Sequence, residues 1–167
     1  LEGGLNRFDR ATGRFTHYRH GPQNPDSLGA GVVWDIREDS AGDLWVATGD
    51  GALNRFDKWR NRFERFYPEE YSPRAISGPV VSLFLDTAGD LWLGTYHSAL
   101  HRYTERGPQF QVLRHKPGVK DSLLSSSIMA LAEDAEGWIW AASDRGLSRF
   151  QMTTGHFEHW LPDATGA

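Results

Sequence analysis

Hydrophobic residues in this chain fall in short clusters divided by turn-forming polar residues, and the clusters recur in step. Asp39-Ser-Ala-Gly42-Asp-Leu44-Trp45-Val-Ala-Thr48 returns as Asp86-Thr-Ala-Gly89-Asp-Leu91-Trp92-Leu-Gly-Thr95, and again as Asp134-Ala-Glu-Gly137-Trp-Ile139-Trp140-Ala-Ala-Ser143. The three Trp residues are 47 and then 48 residues apart. A second block keeps the same beat: Leu5-Asn-Arg7-Phe8, Leu53-Asn-Arg55-Phe56, Leu100-His-Arg102-Tyr103 and Leu147-Ser-Arg149-Phe150. A third follows each of these, at Phe15, Phe63, Phe110 and Phe157. A period of this length marks a repeat architecture, whose units bury their apolar faces against one another.

Each repeat reads as four short strands. The first is Val33–Glu38 and its copies Val80–Leu85 and Ile128–Glu133, almost wholly apolar or small in the later two. That composition predicts a strand covered on both faces. The Asp-x-x-Gly turn follows, where Asp bonds its own backbone and Gly accepts a positive φ. The second strand carries the Trp and, two residues on, a small residue (Ala47, Gly94, Ala142) that lets a neighbouring sheet approach closely. The third is the Leu-x-Arg-aromatic block, and the fourth starts at the recurring Phe. No segment has a helical period of ten residues or more. The expected fold is all-β: a β-propeller fragment of about three and a half four-stranded antiparallel blades. Residues 1–30 form a trailing half-blade, with blades at 31–78, 79–126 and 127–167, all part of one propeller. The chain opens inside a repeat, so its natural start is expected upstream. The exposed flank of the last blade is expected to be sticky.

Composition narrows the function classes. Seven Trp and nine Phe need flat packing sites, which excludes disorder. A net charge of −4, with both signs mixed along the chain, builds no field for nucleic acid or an anionic membrane. There is no Cys, hence no disulfide or thiolate metal site. No apolar run reaches the roughly 20 residues of a membrane helix, so no membrane contact is expected within this segment.

The string Leu1-Glu-Gly-Gly-Leu-Asn-Arg-Phe-Asp, the Asp-x-x-Gly-Asp-Leu-Trp-x-x-Thr blocks and the Phe-x-x-Tyr-like strand resemble the two-component regulator propeller repeat. The resemblance covers essentially the whole chain. It implies a periplasmic sensor region of a bacterial membrane receptor, passing a signal to a cytoplasmic histidine kinase, hybrid response regulator or diguanylate cyclase. Some members bind oligosaccharides. The sequence departs from the pattern at Tyr96-His97-Ser98-Ala99, where a Gly-Gly pair is usual, and at Ala141-Ala142-Ser143, which replaces the usual Gly-Thr ending.

Residues that recur in every unit are scaffold: Asp39, Gly42, Trp45, Asp86, Gly89, Trp92, Asp134, Gly137 and Trp140, with Arg7, Arg55, Arg102 and Arg149. A ligand or catalytic residue is needed once. Loops leading into strands one and three open on one face of an up-and-down blade, and that face carries the residues that do not repeat. Ligand contact is therefore expected from Asp50, Tyr96, His97, Asp144 and Arg145, by ring stacking and charged hydrogen bonds. The competing reading is that these are ordinary polar loop residues. His17 with His20, and His156 with His159, are three apart, which in a strand sends the rings to opposite faces; they are read as solvated, with no metal and no cofactor. No nucleophile elbow and no phosphate-cradling Gly loop is present.

The leading function is a non-enzymatic, ligand-sensing segment of an extracytoplasmic receptor. Its partners would be an oligosaccharide or other small molecule, and the remainder of the propeller or a second copy. A lyase-like propeller enzyme and a pure protein-interaction platform (through Tyr18, Phe66 and Trp160) are the alternatives.

Overall fold

A computed structural model describes residues 3–69, 75–104 and 110–162. Among them every regular element is a strand. β1 (Leu5–Asp9) and β2 (Arg14–Tyr18) form a two-stranded sheet. β3 (Val33–Glu38), β4 (Leu44–Thr48), β5 (Leu53–Asp57) and β6 (Arg62–Phe66) form the first four-stranded sheet. The second comprises β7 (Val80–Leu85), β8 (Leu91–Thr95), β9 (Leu100–Tyr103) and β10 (Phe110–Leu113). The third comprises β11 (Ile128–Glu133), β12 (Ile139–Ser143), β13 (Gly146–Phe150) and β14 (Phe157–Trp160). Strands pair antiparallel in sequence order, as in propeller blades.

The Asp-x-x-Gly blocks form one clamp three times over. Asp39 Oδ1 accepts from the Asp43 amide at 2.9 Å, while Oδ2 accepts the Trp45 indole N–H at 2.8 Å. Asp86 holds the Asp90 amide and the Trp92 indole, both at 2.8 Å. Asp134 holds the Trp138 amide at 2.9 Å and the Trp140 indole at 2.7 Å. The turn and the Trp rotamer are thus locked together, and the indoles of Trp45 and Trp92 are aimed at the next sheet. The Trp45 ring lies 5.1 Å from Tyr103, and Trp92 lies 5.5 Å from Phe150. The recurring Arg covers the indole from outside, Arg55 at 5.4 Å and Arg102 at 5.6 Å, each anchored on a carboxylate, Asp43 and Asp90. In the third sheet Trp138 stands where that carboxylate would be. Arg149 therefore pairs with Glu158 at 2.8 Å and stacks 4.3 Å over Trp138.

Between sheets the apolar faces interlock. Trp45, Ala47 and Leu53 meet Leu83, Leu91, Leu93 and Phe110; Trp92 and Leu100 meet Ile139, Ala141 and Phe150. The small residue after Trp is needed for this approach: a Cβ on Gly94 would stand 2.6 Å from the carbonyl oxygen of Ile128 in the next sheet. Two side chains also bridge sheets. Asp35 Oδ2 accepts the Leu83 amide at 2.9 Å, and Glu133 accepts both the amide and the hydroxyl of Thr87.

Two expectations need correction. The first strand is covered on both faces in only one repeat: β7, between two sheets, has no exposed residue, whereas Trp34 in β3 and Met129, Ala130 and Ala132 in β11 are exposed. In each repeat it is the innermost strand of its sheet, and a β-bulge after its first residue turns Trp34, Val81 and Met129 out of the ladder. The three Trp are also unequal. Trp45 and Trp92 are fully buried, but Trp140 is only partly so. No described sheet covers its face, and it stacks on Trp160 at 5.0 Å instead.

Candidate ligand site on the loop face

The loops leading into each innermost strand are tied down by the variable residue of the Leu-x-Arg block. Asn54 Oδ1 accepts the Gly29 amide at 2.8 Å, His101 Nε2 accepts the Ser77 amide at 3.2 Å, and Ser148 Oγ accepts the Leu124 amide at 3.4 Å. Asn54, His101 and Ser148 are all buried. Burial holds His101 neutral, pushing its pKa down to about 4. Histidines fasten the same loops from outside. Nδ1 of His20 bonds the Leu28 carbonyl at 3.0 Å, and Nδ1 of His115 bonds the Leu123 carbonyl at 2.6 Å. Histidine159 reaches Ser148 at 3.0 Å and the Lys120 carbonyl at 2.9 Å. His20 and His159 are therefore loop fasteners, His20 while still exposed to solvent as expected and His159 while partly buried.

On this rigid frame the five expected contact residues separate. Asp50 is committed to the scaffold: Oδ1 accepts the Thr48 hydroxyl at 2.6 Å and Oδ2 accepts the Ala30 amide at 2.9 Å. Asp144 and Arg145 are exposed on the β12–β13 turn and do not line the groove of Tyr96 and His97. Tyr96 and His97 are brought together, with rings 3.8 Å apart. His97 has φ +60°, a left-handed conformation unusual outside Gly. The first sheet has Gly51 at +85° in the equivalent turn; with Ser98 in that place, the left-handed residue moves one position back. Ser127, from the loop before β11, holds His97 by its amide and by Nδ1, both at 3.0 Å.

Tyr96 divides two depressions. The outer one, of about 540 Å3, is a groove of mixed polar and apolar lining, formed by Pro68, Ser77, Gly78, Tyr96, His97, Ser98 and Arg114. The inner one, of about 400 Å3, is an apolar shelf on the channel side, lined by Trp34, Gly49, Pro79, Val81, Tyr96 and Met129. Arg114 and the three bulge residues were missed in the sequence. Arg114 follows the outermost strand with no motif around it, and the bulge hides within an apolar run. On the opposite face a smaller crevice, about 210 Å3, is lined by scaffold residues including Asp39, Trp45, Asp90 and Tyr103. Residues 70–74, between β6 and β7, lie outside the described residues, as do Leu1 and Glu2 of the first repeat.

Radially stacked antiparallel sheets with a channel-side shelf and a varied loop face define a β-propeller architecture. The two-component regulator propeller matches residues 27–50, 75–97 and 122–145. Three two-component regulator propeller repeats thus lie within this chain. Similar solved structures include the extracellular domain of BT3049 from Bacteroides thetaiotaomicron, assigned to a hybrid two-component system. It shares 22% identity with TM-score 0.76, over 96% of this chain and 21% of that one. The extracellular domain of BT4673 from the same organism, also assigned to a hybrid two-component system, shares 22% identity with TM-score 0.76, over 98% and 20%. A structure described as the extracellular domain of a one-component system, also BT4673, shares 25% identity with TM-score 0.70, over 96% and 22%. The chain thus spans about a fifth of the length of these structures. A comparison with curated proteins gave no match.

Proposed function

We propose that this chain is part of a periplasmic, ligand-sensing propeller that serves a bacterial signal-transduction receptor without catalysing a reaction. The observation that carries this reading is the contrast between the two faces. The Asp-x-x-Gly face repeats three times, whereas the loop face concentrates Tyr96, His97 and Arg114 around a groove on an anchored frame. Its ligand is an oligosaccharide or another small molecule bound over the channel face. Binding there would act on output by favouring one packing of sheet against sheet, which requires different affinities for the two arrangements. The three regulator propeller repeats and the extracellular origin of the similar structures support the signalling role and the location.

A thermal-shift screen of the full chain against oligosaccharides and aromatic metabolites tests this. Saturable stabilisation without turnover is the expected result. Turnover of a stabilising compound that disappears in His97→Ala would replace sensing with enzymology. Co-purification of a partner protein with no small-molecule response would move the assignment to an interaction platform.

A further inference from the structure

The outer groove and the inner shelf share Tyr96, and their chemistries differ sharply. None of the described residues lining the groove is Asp or Glu, while Arg114 and His97 both border it. Arg114 is exposed, and its guanidinium donates to Ser77 Oγ at 3.3 Å, which fixes it over the groove while other donors remain for a ligand. The His97 ring is held through Nδ1 by Ser127. Serine hydroxyls at positions 77 and 98 add neutral hydrogen-bonding groups. This set suits an anion carried on a hydroxylated body.

The shelf is built for a flat, weakly polar face. Trp34 is 58% exposed and Met129 56%, both pushed toward the channel by the bulges, and Tyr96, 46% exposed, adds its ring from the β8–β9 turn. Val81 and Pro79 complete the floor. The groove begins beside Arg114, just after β10, and the shelf includes Val81 in β7, at the other edge of the same four-stranded sheet. Three strand spacings separate those edges, about 14 Å. One sugar ring or a small aromatic acid does not bridge that span; a short oligomer does.

We infer that the groove and shelf form one radial site for an anionic oligosaccharide of about three units, its carboxylate or sulfate at Arg114 and His97 and a ring stacked on Trp34 and Tyr96. The inference rests on the sensing reading above and adds charge, length and polarity of binding. Carboxylate and sulfate present the same chemistry to a guanidinium.

Isothermal titration of the full chain with trigalacturonate, its neutral methyl ester, a sulfated trisaccharide and maltotriose tests it. At least one anionic trisaccharide should bind about tenfold or more tighter than its neutral counterparts, as expected of a hydrogen bond between charged groups. Which of the two anions wins identifies the natural group. Arg114→Gln should erase the preference, and Trp34→Ala should weaken anionic and neutral ligands alike by about tenfold. Both side chains are exposed, so unfolding midpoints should stay near that of the parent. The ester comparison needs no variant at all. Equal affinity for acid and ester, together with no preference for the sulfated sugar, overturns the inference while leaving sensing intact. Unchanged binding in both variants overturns it too. Absence of a saturable response to every compound in the thermal screen removes the sensing reading itself.

Discussion

The amide of Ser77 donates to Nε2 of His101 at 3.2 Å, joining the loop before one strand to the middle of another. With Nε2 accepting, the ring proton sits on Nδ1, which is buried and finds no partner among the described residues. The anchor works only while His101 is neutral, because a protonated ring cannot accept.

That condition makes stability depend on pH. An unfolded His takes up its proton near the ordinary 6.5, whereas folded His101 resists until about 4. Between those values the unfolded state binds a proton that the folded state does not, so stability falls as pH drops from 6.5 to about 4. Its share of the loss is at most about 3 kcal/mol, and no further loss comes from this group below that window. His101→Asn places the anchor used in the first sheet, Asn54, at the same position. Urea titrations at pH 7 and pH 4.5 should show a smaller difference for the variant than for the parent.

Gly94→Ala should destabilise by about 1–3 kcal/mol, because the added methyl meets the Ile128 backbone and the Ser82 hydroxyl. Gly89→Ala is a useful contrast. A Cβ there meets nothing within 4 Å, so its cost would come only from the positive φ. Chemical denaturation of both variants separates crowding between sheets from strain within a turn.

Removing the clamp carboxylate should hurt most where the indole is most buried. Asp86→Ala leaves the Trp92 indole N–H and the Asp90 amide without their acceptor, at a cost of about 2–3 kcal/mol. Asp134→Ala should cost less, since Trp140 is only partly buried and can reach solvent. Equal losses in the two unfolding curves would contradict this account of the clamp.

Asp50→Ala should lower stability by about 1–2 kcal/mol through the freed Thr48 hydroxyl and Ala30 amide. It should leave the affinity of any ligand stabilising the protein within about twofold of the parent, whereas Tyr96→Ala should reduce that affinity about tenfold with little change in stability. Calorimetry on the two variants distinguishes a loop anchor from a contact residue.

Most of the architecture could be read from the chain because each repeat needs the same clamp. Asp39, Asp86 and Asp134 each hold a Trp six residues on, so the pattern is written three times. The innermost strands match the expected Val33–Glu38, Val80–Leu85 and Ile128–Glu133. The site was less legible, for the opposite reason: its residues occur once. Arg114 gains meaning only when β10 brings it beside the loop holding Ser77. Asp50 is exposed, yet both its carboxylate oxygens are bonded within the loops, a pairing that its neighbours in sequence do not announce. The bulge escaped notice because moving Val81 out of register does not alter the apolar composition of its strand.

The half-covered indole of Trp140 bears on how the molecule comes apart. Sheets that touch only their neighbours melt from whichever end lacks one, as stacked coins slide from the edge of a pile. Amide protons of β13 and β14 should therefore exchange with deuterium before those of β8, and a partner seated against Trp140 and Trp160 would slow the fraying from that side.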